Sequence, residues 1–215
     1  MKTIGIIGGM SWESSATYYR LINQQVRAAR GATASAPIIL WSFDFSEIEA
    51  LQRTGDWAGL TARMIYAARR LEGAGAELLL IATNTMHKMA PEVQAAVGVP
   101  LLHIADPAGQ AARGAGFATV GLLGTRFVME QDFYRAALER HGLKVVVPGE
   151  GHRGAVHRII YEELVAGVVR EDSRAAYRAA IADLVAQGGA RSVTPAPVGV
   201  SPAHVRRRQT AQLDA

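Results

Sequence analysis

The sequence predicts an α/β fold with two pseudo-symmetric lobes, each a parallel sheet flanked by helices, and a ligand cleft between them. Two observations lead to this fold class. Short, branched, apolar runs typical of buried parallel strands alternate with amphipathic helical runs along the 215 residues. A stretch near the N-terminus also recurs in the second half of the chain, which indicates two similar lobes.

The predicted elements alternate in chain order. Six strands are expected at Thr3–Gly8, Pro37–Phe43, Leu78–Thr83, Leu101–Ile104, Thr119–Gly124 and Lys144–Val147. Asp56 is the predicted N-cap of a helix before the third strand. The apolar face of that helix consists of Leu60, Met64, Ala67 and Leu71. Asp172 or Ser173 should cap a later helix. Its apolar positions are Tyr177, Ile181, Leu184 and Val185.

The internal repeat defines the expected domains. TIGIIGGMSWESSATYYR (3–20) matches TVGLLGTRFVMEQDFYR (119–135), and both run from Thr-x-Gly-x-x-Gly into a helix that carries Tyr-Arg. Unrelated βα units can look somewhat alike, yet the shared residues in order favour a duplication. We expect a first lobe over 1–105, a second over 106–190, and a Pro/Arg-rich tail over 191–215, with the ligand between the lobes.

Composition excludes several classes of protein. The chain contains no cysteine, which excludes disulfides, cysteine-ligated zinc and thiol catalysis. Apolar runs such as Leu78–Ala82 are far too short to cross a membrane, and the N-terminal MKTIGIIGG does not resemble a signal peptide. We therefore expect a cytoplasmic protein without a membrane partner.

The positive charge of the chain is concentrated at its C-terminal end. The net charge is +4, and residues 191–215 supply +3 of it. The charged residues there are Arg191, Arg206, Arg207, Arg208 and Asp214. Because a nucleic-acid-binding surface needs basic residues spread over a folded face, we expect no nucleic-acid partner.

Two stretches could bind a ligand. GIIGGMS is not a G-x-G-x-x-G or P-loop motif, which disfavours a nucleotide-dependent oxidoreductase; Gly8 and Gly9 either approach a ligand or make a tight turn. The third strand ends in Thr83, Asn84 and Thr85, and such a polar strand end faces a ligand in this architecture. His87 either orients that ligand or bonds a neighbouring loop. The histidine spacing predicts no metal site.

Longer motifs carry a resemblance to a known family. They are MKTIGIIGGMSWESSATYY, FDFSEIEALQRTGDW, TNTMHKMA, LLHIADP, GLLGTRFVMEQDFY and IIYEEL. Together, over about residues 1–190, they closely resemble the aspartate/glutamate racemase family, in particular its bacterial amino-acid racemases. The resemblance implies an isomerase that needs no pyridoxal phosphate, or any other cofactor, and holds an acidic amino acid between two lobes. It also implies a homodimer.

The resemblance further implies a set of site residues. The expected substrate-binding residues are Met10, Gln52, Thr83, Asn84, Thr85 and Thr125. Arg53 is added here as a candidate for the side-chain carboxylate, because arginine matches that group bidentately; a solvated loop arginine is the alternative. Family members move the Cα proton with two cysteines, one on each face of the substrate, since inverting a stereocentre needs a base and an acid on opposite faces.

Both cysteine positions differ in this chain. The first falls on Thr83, and the repeat places the second at Pro197. Pro195 and Pro197 are unsuited to a central strand, so the tail predicts the loss of the last strand and closing helix. A frameshift in the coding DNA is one hypothesis for it, and a second reading frame without Cys-Thr-Glu codons would contradict that. We expect an impaired racemase or a non-catalytic pseudoenzyme that binds an acidic amino acid or pairs with an intact homologue.

Overall fold

The strands form two separate sheets in the computed structural model, which describes residues 1–188 and 192–193. The first sheet has the order β2-β1-β3-β4. Its strands are β1 (Ile4–Gly8), β2 (Ile38–Ser42), β3 (Leu78–Ile81) and β4 (Leu101–Leu102). The second sheet has the order β6-β5-β7. Its strands are β5 (Thr119–Leu122), β6 (Lys144–Val146) and β7 (Ser192–Val193). Every pair of neighbouring strands is parallel.

Helices connect these strands. They are α1 (Trp12–Arg30), α2 (Phe45–Thr54), α3 (Trp57–Gly73), α4 (Ala90–Ala95), α5 (Ala105–Gly114), α6 (Arg126–Glu130), α7 (Asp132–Glu139), α8 (Glu150–Glu162) and α9 (Glu171–Ala186). Short 3₁₀ segments occupy Thr85–Met89 and Leu164–Ala166. We call β1–β4 with α1–α4 the first lobe, and β5–β7 with α5–α9 the second. None of the helices that the structure describes is long and apolar enough to cross a membrane.

The predicted fold class is confirmed, and so are the six predicted strands, each somewhat shorter than expected. Asp56 caps α3 as predicted, because its carboxylate accepts a hydrogen bond from the Gly59 amide at 2.8 Å. The apolar face of α3 is fully buried against the first sheet. Most of the stability of this helix comes from burying that apolar face against the sheet, since an isolated helix of this length is only marginally stable in water.

The N-terminus of α9 differs from the prediction. The helix begins at Glu171, with Arg170 as the extended N-cap residue, so Asp172 and Ser173 lie inside the first turn. Asp172 is bonded to the Arg170 guanidinium and to the Ser173 amide, and it is therefore not free to cap from outside the helix. Val185 was expected on the buried face and is 57% exposed, whereas Leu184 is buried.

The two lobes repeat one arrangement around a central first strand. β1 lies between β2 and β3, and β5 lies between β6 and β7. β7 thus occupies beside β5 the place that β3 occupies beside β1. The prediction that the tail replaces the last strand is wrong for Ser192–Val193, which pair with β5. Pro197 and the rest of the predicted tail, 194–215, lie outside the described residues.

Candidate functional site

A cavity of about 140 Å³ lies between the lobes, at the carboxyl ends of β1, β3 and β5. Parallel strands bring their carboxyl ends to one edge of each sheet, and the two edges face each other here. The structure brings six predicted site residues around this cavity: Met10, Gln52, Thr83, Asn84, Thr85 and Thr125. Their contact with a substrate stays a prediction.

The turn between β1 and α1 shapes one end of the cavity. Gly9 has a φ of +84°, and a Cβ there would collide with the backbone of Phe43. The Gly9 amide donates to Ser15 Oγ at 2.8 Å, which ties the turn to the first turns of α1. Neither Gly8 nor Gly9 lines the cavity in the described structure. Of the two roles considered for these glycines, the structure shows the tight turn, which places Met10 at the cavity wall.

His87 fixes the polar end of β3 from behind. Its Nδ1 donates to the Thr83 carbonyl at 2.7 Å, and its Nε2 accepts from the Ile104 amide at 3.2 Å. Burial, followed by the nearby His103, lowers the pKa of His87 to about 3, so the ring is neutral with its proton on Nδ1. His87 does not line the cavity. Of its two predicted roles, the structure shows the bond to neighbouring backbone.

Two threonine hydroxyls connect the lobes across the cavity. Thr85 Oγ1 and Thr125 Oγ1 are 3.0 Å apart, within hydrogen-bond distance. Thr125 is also the N-cap of α6 and accepts from the Val128 amide at 3.4 Å. The segment that follows β3 in the first lobe and the segment that follows β5 in the second lobe therefore meet through one hydrogen bond.

A second polar contact between the lobes joins α2 to α8. Tyr161 Oη donates to Gln52 Oε1 at 2.8 Å, and the Tyr161 ring stacks on Phe45 with 6.4 Å between ring centroids. Burial raises the pKa of Tyr161, which keeps its hydroxyl protonated. Sequence reasoning missed Tyr161 as a site residue, although it lies in the IIYEEL motif.

The described cavity lining carries no ionisable acid, amine, guanidinium or imidazole. Its polar residues are Ser14, Tyr18, Gln52, Thr83, Asn84, Thr85, Thr125 and Tyr161. Burial raises the pKa of Tyr18 to about 12, so this phenol is protonated too. Arg53 is exposed in the last turn of α2 and lies outside the lining. Within the described residues, no group of three potential metal ligands occurs.

Asn84 presents an unused acceptor at the same place. Its Oδ1 is buried and has no hydrogen-bond partner among the described residues. An unpaired buried oxygen costs free energy, and a ligand that donates a hydrogen bond would remove that cost.

Comparison with known proteins identifies the group to which this architecture belongs. The model of the Asp/Glu/hydantoin racemase family matches residues 7–194. This chain belongs to that family. It is 51% identical to a candidate Asp/Glu racemase from Yersinia pestis, with a TM-score of 0.82 over 90% of this chain and 85% of that one. It is 31% identical to an aspartate racemase homologue from Pyrococcus horikoshii OT3, with a TM-score of 0.75 over 99% of both chains.

More distant members share the fold. The Picrophilus torridus aspartate racemase is 19% identical, with a TM-score of 0.64 over 87% of this chain and 77% of that one. In this racemase-family chain, the described cavity lining can donate and accept hydrogen bonds. Among the described residues it offers no group that is basic at neutral pH for removing a proton from carbon.

Proposed function

We propose that this chain is an aspartate/glutamate racemase by descent, which binds an acidic amino acid between its lobes and transfers the Cα proton poorly. One observation carries the proposal. The interlobe cavity is lined by hydroxyls and amides that suit a small zwitterion, whereas its described lining holds no base. No cofactor enters the proposal.

The cavity has the size and polarity for a small polar ligand. Its volume of about 140 Å³ is below the range of roughly 300–1,000 Å³ typical of drug-sized ligands. Asn84 Oδ1 can accept from the ammonium group of an amino acid. One proton of the Thr85–Thr125 hydroxyl pair is used in their mutual hydrogen bond, and the other can be donated to the α-carboxylate. The remaining walls are mostly apolar, which shields these bonds from water.

Proton transfer lacks a suitable group. An alcohol such as Thr83 is a poor base without an activating neighbour, and no hydrogen bond to its hydroxyl is present in the described structure. Tyr18 and Tyr161 have raised pKa values and stay protonated. Inverting Cα requires a base on one face and an acid on the other, so the proposed site favours binding over racemisation.

A non-catalytic protein is the second candidate. It would bind an acidic amino acid or pair with an intact homologue, and the absence of cysteine from the whole chain favours it. The two candidates differ in one observable: an impaired racemase still exchanges the Cα proton with solvent, whereas a pure binding protein does not.

The decisive experiment is proton NMR of L- and D-aspartate and glutamate in D2O with the purified protein. We expect stabilisation of the protein by these ligands and very slow loss of their α-proton signal. Thr83→Val is the control for any residual exchange. Rapid exchange that Thr83→Val abolishes would contradict impaired catalysis, and the lack of both exchange and ligand stabilisation would contradict the proposed function.

A further inference from the structure

A dicarboxylate ligand poses a problem for an uncharged site. Proteins usually bind a side-chain carboxylate with arginine or lysine, yet the described lining of this cavity has neither. Within the described lining, an acidic side chain can be recognised only by neutral donors held in a fixed orientation. Gln52 is one such group, because it is only 6% exposed and lines the cavity from α2.

An amide side chain can adopt two orientations unless a neighbouring group stabilises one of them. The Gln52 amide can present either its carbonyl oxygen or its NH₂ group after a half-turn about its last bond. Tyr161 stabilises one of the two orientations, because its hydroxyl donates to Oε1 at 2.8 Å. Gln52 Nε2 has no hydrogen-bond partner among the described residues. With its carbonyl occupied, the amide is left with two free N–H donors.

Tyr161 is itself held in place on several sides. Its ring stacks on Phe45 of the first lobe and lies 4.8 Å from the His157 ring of its own helix. Its burial also raises the pKa of the phenol, so the hydroxyl remains a donor throughout the physiological pH range. The orientation of Gln52 thus depends on a rigid partner from the other lobe.

We infer that Tyr161 is a specificity-determining positioning residue, which orients the Gln52 amide so that Nε2 donates to a ligand carboxylate. The inference rests on the proposed function and adds which residues make the site prefer a ligand with an acidic side chain. A carboxylate accepts from Nε2 without further requirement. A carboxamide of the same shape brings an NH₂ group that needs an acceptor, whereas Gln52 presents its own NH₂ group and holds its carbonyl against Tyr161. The site should prefer aspartate to asparagine, and glutamate to glutamine.

Tyr161→Phe tests the inference, because it removes the hydroxyl and keeps the ring that stacks on Phe45. The Gln52 amide can then turn, so the preference for the acid over the amide should fall by about tenfold, a factor that one hydrogen bond to a charged group supplies. The measurement is isothermal titration of the full-length protein with aspartate, asparagine, glutamate and glutamine. Gln52→Glu should reverse the preference, since a carboxylate there repels an acidic side chain and accepts from an amide.

Tyr177→Phe is the matched control. Tyr177 Oη is buried and has no hydrogen-bond partner among the described residues, and it lies outside the described cavity lining. This variant should keep the wild-type ratio of affinities.

The possible outcomes distinguish a failure of the proposed function from a failure of the inference about Tyr161. A wild type that binds neither acids nor amides overturns the proposed function and this inference together. A wild type that prefers acids, with the same preference in Tyr161→Phe, overturns this inference alone. An equal loss of affinity for acids and amides in Tyr161→Phe also overturns it, because Tyr161 would then act only as a general support of the cavity.

Discussion

In the proposed function, the side chain at position 83 is one of two that decide between binding and catalysis. Thr83 lies two residues after β3 at the cavity wall, where the family resemblance places a cysteine. A hydroxyl and a thiol differ little in size, yet a thiol ionises near neutral pH and an alcohol does not. The substitution can leave the shape of the cavity intact and still remove the group that takes the Cα proton.

Restoring that thiol should restore half of the reaction. Thr83→Cys is expected to raise Cα proton exchange of aspartate or glutamate in D2O on the order of a hundredfold, the usual contribution of one positioned base. The rate should increase with pH as the thiol ionises, around its ordinary pKa of about 8.5. Deuterium should enter largely with retention, because the second cysteine position of the family is Pro197 in this sequence.

Ser14→Cys is the matched control, since it adds a thiol elsewhere in the same cavity lining. It should leave exchange at the wild-type level. Equal exchange in the two variants would contradict the role assigned to position 83.

His87 makes folding sensitive to acid. Its folded-state pKa, about 3, lies below the ordinary value of 6.5, so the unfolded chain binds the proton more tightly than the folded one. The stability that depends on neutral His87 is complete above about pH 6.5 and is lost progressively as the pH falls towards 3. Between about pH 7.5 and about pH 5.5, this residue should account for roughly 1 kcal/mol of lost unfolding free energy.

Urea denaturation of the wild type and His87→Gln at both pH values measures that contribution as a difference. Glutamine removes the titration, while the other histidines with lowered pKa values, His103 and His157, remain in both proteins. The same pH dependence in the two proteins would show that His87 is not the residue that titrates.

The sequence could predict the site residues that follow the strands, and the family resemblance added Gln52, but neither identified its partner Tyr161. Thr83, Asn84 and Thr85 are recognisable because a polar cluster ends an apolar strand, and the fold places such ends at a common edge. Tyr161 and Gln52 are 109 positions apart in the chain. No local pattern reports a contact that exists only after both lobes have folded.

At the scale of elements, the β1–α1 turn depends on a residue without a side chain. Gly9 combines a φ of +84° with a backbone contact that leaves no room for a Cβ. Gly9→Ala should therefore cost about 3 kcal/mol of unfolding free energy, from the left-handed conformation and the clash together. Urea denaturation and the yield of soluble protein measure this cost.

Gly55→Ala measures the cost of the left-handed conformation without the clash. Gly55 has a φ of +73° and open space where a Cβ would stand, so its replacement should cost only about 1 kcal/mol. Equal costs at the two positions would show that the contact with Phe43 is unimportant.

Elements were predictable where burial dictates the pattern. The six strands and the α3 face follow from their apolar patterns, because each contributes buried or partly buried residues to a hydrophobic core. The start of α9 was misplaced because Asp172, a frequent capping type, is bonded to Arg170 instead. β7 was missed because Pro195 and Pro197, which follow it closely in the sequence, argue against a central strand there.

At the scale of the whole molecule, the cavity exists only while the lobes are together. Besides its two polar bridges, the interface has an aromatic pair: Trp57 of the first lobe meets Phe127 of the second edge-to-face, with 5.1 Å between ring centroids. Neither ring belongs to the described cavity lining. The pair therefore influences ligand binding through the relative position of the lobes, and Phe127 also meets the His157 ring that contacts Tyr161.

Phe127→Ala tests whether lobe closure is part of binding. Loss of an aromatic pair worth about 0.5–1.5 kcal/mol should lower the population of the closed arrangement, and with it the affinity for aspartate, by about two- to tenfold. Tyr66→Ala is the control, because Trp41 and Tyr66 form a similar edge-to-face pair, 5.4 Å apart, inside the first lobe. Both variants should lose stability in urea, and only Phe127→Ala should lose affinity in calorimetric titration. If the two variants bind aspartate equally well, the lobes are held by the ligand and the polar bridges alone, and the aromatic pair contributes only to folding.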